Sequence, residues 1–173
     1  IKEMKNKRYA GMVMGLLIAA VMVSLCIVCK NSNAQAAEDN VSCSSLCAGA
    51  LKVTGNTDKI KFKSEAALDF GALSSSDRNR VSSIFYVCDK KEVYSVAVIS
   101  TGSAKDARAL YKSLKVYKKS NSTSDYLSDY TRSEQKVFKN AVIGKKGSYV
   151  WYIAMSGKKS DNTTGSKAIR KSI

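Results

Sequence analysis

From Ala10 to Cys29 the chain carries no charged residue. A helix advances about 1.5 Å per residue, so a run of this length reaches roughly 30 Å, the hydrocarbon thickness of a bilayer. Ala10, Leu16, Leu17, Ile18, Val21, Val23, Leu25, Ile27 and Cys29 are among the side chains that would meet lipid. Lys2, Lys5, Lys7 and Arg8 precede the run and Lys30 follows it, which places the N-terminus in the cytoplasm and the bulk of the chain outside. Ala34-Gln35-Ala36 is an A-x-A pattern at which a signal peptidase would release a chain beginning at Ala37. The run exceeds the roughly 7–15 residues of a signal core, which favours a retained anchor, whereas the small-residue site favours cleavage. Both readings fit. Cys26 and Cys29 lack the small preceding residue of a lipidated cysteine and read as apolar side chains in the helix.

Beyond that segment the 173 residues leave room for one domain. Lys and Arg number 29 against 14 Asp and Glu, and the net charge of +15 is spread along the chain. Acidic lipid headgroups, anionic wall polymers, an acidic protein partner and nucleic acid all meet that electrostatic demand, as does plain solvation. Histidine is absent, which removes the commonest general base and the commonest metal ligand and argues against an enzyme. No cofactor is expected.

The pattern divides the chain into a signal or anchor (1–36), a polar spacer (37–60) with one short helix near Ser44–Val53, a folded region (61–156) and a disordered basic tail (157–173). Phe62–Leu73 fits a short helix or a strand equally well, and Ser74–Arg80 is a polar connection in which Ser76 or Asp77 caps one helical turn. Ser83–Cys88 and Glu92–Ile99 are rich in β-branched and aromatic residues and predict a hairpin. Ser103 opens a helix in which Ala107, Leu110, Tyr111, Leu114 and Tyr117 form one apolar stripe. Tyr126–Glu134 reads as a polar connection. Lys136–Ile143 and Ser148–Met155, separated by Gly144–Gly147, predict a second hairpin. The order hairpin, helix, hairpin gives an α+β fold: a two-layer arrangement with a four-stranded, mainly antiparallel sheet packed against one long amphipathic helix.

The segments Val93–Ala107, Tyr126–Tyr130, Val137–Ile143 and Lys146–Val150 resemble the domain of unknown function family 4358, uncharacterised bacterial cell-envelope lipoproteins and membrane-anchored proteins. The resemblance covers roughly 61–155 and implies an envelope location, with no activity attached. The chain departs from it in lacking a lipidation site and in carrying Ser128 where the family pattern has a proline.

Four sets of residues invite a chemical reading. Ser133-x-x-Lys136, Ser156-x-x-Lys159 and Ser160-Asp-Asn162 imitate motifs of penicillin-interacting enzymes, the basis for an alternative reading as an envelope hydrolase or transferase, but no Lys-Thr-Gly follows. Cys43, Cys47 and Cys88 lack a histidine to complete a zinc set, and an oxidising exterior predicts a disulfide of Cys88 with Cys43 or Cys47. Lys112, Lys115, Lys118 and Lys119, with Tyr149 and Trp151 among other rings, form a candidate surface for an anionic ligand, including single-stranded nucleic acid stacked on the rings. Asn121 and Asn162 fit a glycosylation pattern that a bacterial family resemblance reduces to polar loops.

Overall fold

The computed structural model describes residues 41–57 and 70–173. The apolar run, the cleavage pattern and most of Phe62–Leu73 lie outside the described residues. The elements in chain order are α1 (Cys43–Thr54), α2 (Ser75–Arg78), β1 (Val81–Cys88), β2 (Ser95–Thr101), α3 (Ala104–Ser120), α4 (Ser124–Leu127), α5 (Arg132–Lys139), β3 (Val142–Lys146), β4 (Tyr149–Ala154) and α6 (Lys159–Ser172). The strands form one antiparallel sheet in the order β1-β2-β4-β3, so each expected hairpin is a ladder and β2 pairs with β4 at the centre.

The local reasons are legible. Ser103 accepts a hydrogen bond from the Asp106 N–H and caps α3, while Ser74 and Asp77 form a reciprocal capping box around the single turn of α2. The β1–β2 connection closes through Asp89, whose carboxylate accepts from the Tyr94 N–H at 2.9 Å. At the β3–β4 turn Gly147 sits at φ 53, a left-handed conformation that glycine takes without strain.

Successive strand residues point to opposite faces, and both faces are buried. On one, Tyr86, Ala97, Ile99, Val150, Tyr152 and Ala154 pack with Leu110 and Leu114 of α3 and Val137 and Phe138 of α5. Phe70 joins them at ring-centroid distances of 4.7 Å from Tyr86 and 5.8 Å from Tyr152. On the other, Val87, Val96, Val98, Trp151 and Ile153 pack with Leu46, Cys47 and Ala50 of α1 and Ile169 of α6. The expected two layers are therefore three, helix on sheet on helix.

Three expectations about elements need correction. The stretch 157–173 is no disordered tail: α6 spans Lys159–Ser172 and buries Asn162, Gly165 and Ile169. Its inward stripe uses a small and a polar residue where apolar ones would signal a helix. Gly165 lets α1 approach so closely that a Cβ there would stand 2.6 Å from the Thr54 methyl. The short helix expected near Ser44–Val53 is present as α1, but it is a packed element of the core, so its segment is not a spacer. Finally, the strand expected over Lys136–Ile143 is divided. Thr131 and Glu134 form a capping box that starts α5, which ends at Lys139, and β3 begins at Val142.

Buried asparagine chemistry holds the junction where β4 ends. Asn162 is fully buried; its Oδ1 accepts from the Met155 and Ser156 N–H groups at 2.9 and 3.1 Å. Its Nδ2 donates to the carbonyls of Asn140 and Ser156, each at 2.9 Å. Asn140 in turn donates to the Gly157 carbonyl, and Asn56 to that of Met155.

Candidate functional site

The C-terminal half of α3 lies beside the edge strand β3, and between them opens a groove of about 330 Å³ lined by Lys115, Lys118, Lys119, Ser122, Lys139 and Ile143. Helical spacing brings Lys115, Lys118 and Lys119 to one side of α3, Ser122 follows just past its C-cap with its hydroxyl donating to the Lys118 carbonyl, and Lys139 arrives from the last turn of α5. No carboxylate is among the lining residues, and none of the four lysines is in an ion pair among the described residues.

Each cation is set differently. Lys118 Nζ donates to the Ala141 carbonyl at 2.6 Å, which fixes the ammonium in the floor where α5 passes into β3. Burial holds its pKa below the ordinary lysine range, and the positive charge of Lys159 pushes in the same direction. The ammonium of Lys115 lies 4.9 Å from the Tyr111 ring centre and that of Lys145 5.9 Å from the same ring, so one aromatic ring attracts two cations. The arrangement suits an anion with several negative oxygens.

The expected binding residues separate into two groups. Lys112, Lys115 and Lys119 are exposed and Lys118 is half-buried. Tyr149 and Trp151 offer no surface: they are buried under α1 and α6, with the indole N–H donating to Ser166 Oγ at 2.9 Å and Arg170 stacked over the ring. Tyr152, on the opposite face, is buried too, so the strand rings form no platform for stacked bases. Lys139 was missed because its segment read as a strand. The capping-box signal at Thr131–Glu134 would have found α5.

The disulfide expectation is not met. Cys43, Cys47 and Cys88 are buried thiols, with no disulfide among the described residues. Cys88 faces the Phe70 side of the sheet and the other two face the Trp151 side, so the sheet stands between them. Cys43 and Cys47, four apart on α1, are neighbours at about 5–6 Å between Cβ atoms, beyond the roughly 3.5–4.5 Å of a disulfide. Burial pushes both of those thiols up in pKa. All three cysteines are therefore expected to resist thiol reagents at pH 8 in the folded domain and to label in denaturant; intact mass before and after reduction checks this, and a two-proton difference would contradict it. Among the described residues no group of side chains is placed to hold a metal.

Neither Ser–Lys pair is assembled. Ser133 Oγ pairs with Thr131 Oγ1 at 3.1 Å, and Ser156 Oγ donates to Asp161 at 2.7 Å while accepting from the Lys158 N–H. Asn162 of the Ser-Asp-Asn triplet is buried, as is Asn121, so neither is an accessible glycan acceptor.

Among the described residues no helix is long and apolar enough to cross a membrane. Comparisons with family models, curated proteins and solved structures give no match.

Proposed function

We propose that this chain is a non-enzymatic cell-envelope module, exported or anchored through its N-terminal apolar run, that binds an anionic envelope polymer in the groove between α3 and β3. The observation that carries this reading is the convergence of Lys115, Lys118, Lys119 and Lys139 on one concave surface without a carboxylate among its lining residues. Lysines on a solvated face are ordinarily interspersed with acids. Here repulsion is left standing, and Lys118 gives up part of its proton affinity to burial and to Lys159. A bound polyanion would relieve both. The resemblance to domain of unknown function family 4358 read from the sequence, which no family-model match accompanies, points to the same location and adds no activity.

The test is binding of the purified full-length chain to a glycerol-phosphate oligomer, with a neutral glucan of similar length as control. Reversing Lys115, Lys119 and Lys139 to Glu together is expected to weaken binding at least about tenfold, and raising salt toward 1 M, where charges are screened beyond roughly 3 Å, is expected to abolish it. Equal binding of the neutral glucan would sink the reading. The sign for Lys118 follows: its folded pKa is depressed, so the cost of keeping it charged is present below that pKa and disappears as pH rises toward the unfolded value. Occupancy by an anion is expected to move the Lys118 pKa upward, read from the side-chain nitrogen shift.

A further inference from the structure

The groove leaves a second concentration of positive charge unexplained, at the other end of β3. The Tyr149 hydroxyl donates to the Val41 carbonyl at 2.9 Å, so the chain entering the domain is fastened at the Tyr149 end of β4, beside the β3–β4 turn. At the same corner Lys146 Nζ donates to the Arg170 carbonyl at 3.0 Å and ties that turn to the last turns of α6. Lys146, Lys167, Arg170 and Lys171 are all exposed there; Lys145, next along β3, points to the α3 face, where its ammonium lies over the Tyr111 ring. From Val142 to Ile173 the sole acid is Asp161, in the first turn of α6 and so at its far end. Glu38 and Asp39, just before Val41, are the opposing charges in the sequence.

A basic last turn is what the carbonyl end of any helix favours, and that accounts for Arg170 and Lys171. It does not account for Lys146, which a different element brings to the same corner. Residues 30–40, fully extended, reach at most about 40 Å, so a chain that retains its apolar run keeps this corner within reach of the headgroups. The β3 register puts Lys146 opposite Tyr149 and Val142 opposite Ile153, so the groove, at the Val142 end, is roughly 14 Å further along the strand.

We propose that the corner formed by the β3–β4 turn and the end of α6 docks on anionic phospholipid headgroups, holding the Tyr149 end of the sheet to the membrane and turning the lysine groove away from it. Clustered cations next to a membrane segment are drawn to an anionic leaflet over about one Debye length. This inference rests on retention of the apolar run.

The experiment places the full-length chain in nanodiscs of phosphatidylcholine, with or without phosphatidylglycerol, each carrying a trace of headgroup-nitroxide lipid, and reads amide signal loss. Amides of Lys145–Ser148 and Lys167–Ser172 are expected to lose more signal in the anionic discs. That excess should vanish on adding about 0.5 M salt and in the K146E/K171E variant, whose Trp151 fluorescence should be unchanged. Equal loss in both discs, or an excess centred on Lys115–Ser122, overturns the docking. A chain that does not stay in the discs overturns the retained anchor and the docking with it, whereas glycerol-phosphate binding in solution reports on the groove separately.

Discussion

Replacing Asn162 with alanine is expected to lower the unfolding free energy by about 3–5 kcal/mol, because several buried polar groups lose their partners at once. The Met155 and Ser156 N–H groups and the Asn140 and Ser156 carbonyls all depend on this one side chain. Each buried group left unsatisfied costs about 1–3 kcal/mol, and partial relaxation keeps the total below the sum. Asn162→Asp, nearly identical in shape, is expected to be comparably damaging, since it sets a carboxylate oxygen against two carbonyl oxygens. Thr163→Ala, next along the helix, removes only a bond to the Lys159 carbonyl and is expected to change stability by less than about 0.5 kcal/mol. Urea unfolding followed by Trp151 fluorescence measures all three. A loss below about 1 kcal/mol for Asn162→Ala would mean that water or backbone movement replaces the network.

The second large effect lies one strand away. Gly144 packs directly beneath the Trp151 indole, so a Cβ at that position would overlap the ring at Cε2, Cζ2 and Nε1. The ring has no room to retreat: it is fully buried, its N–H is bound to Ser166 and Arg170 lies over it. Gly144→Ala is therefore expected to cost at least about 2 kcal/mol, toward the upper end for overpacking by so small a group. Combining it with Trp151→Leu removes the obstacle, and in that background the alanine is expected to cost roughly half as much or less. Unfolding curves read by circular dichroism give the coupling. Strict additivity of the two changes would show that the penalty comes from backbone strain in β3 and not from the indole.

Much of the sheet was legible because its signals are local. The β-branched run of β2, the Ser103 cap and the stripe Ala107, Leu110, Leu114 each announce their element within a few residues. Elements that cover the second face announce themselves poorly. In α6 the inward positions are Asn162, Gly165 and Ile169, and only the last is apolar. In α1 the buried positions are mostly cysteine, alanine and threonine. Such residues pack well only because the two helices come close, a fact about tertiary structure absent from either segment alone. The site divides in the same way. Helical spacing gathers Lys115, Lys118 and Lys119, but Lys139 joins them through the turn from α5 into β3, and the burial of Tyr149 and Trp151 depends on the docking of α1, expected only as a helix within a spacer, and on α6, which the pattern does not announce.

The layer formed by α1 and α6 also bears on when this domain can become native. Its two helices are joined by more than a hundred residues of intervening chain, Tyr149 binds Val41 across 108 positions, and Trp151 stays uncovered until Ser166 and Ile169 arrive. Closing so long a loop is entropically costly before any contact rewards it, so folding is slow relative to a helical chain of the same size. A polypeptide emerging through a membrane pore would stay pliable until its residues near 170 had passed. Delayed closure is what export through a narrow channel demands, and it leaves Trp151 as the reporter of the moment at which the chain locks.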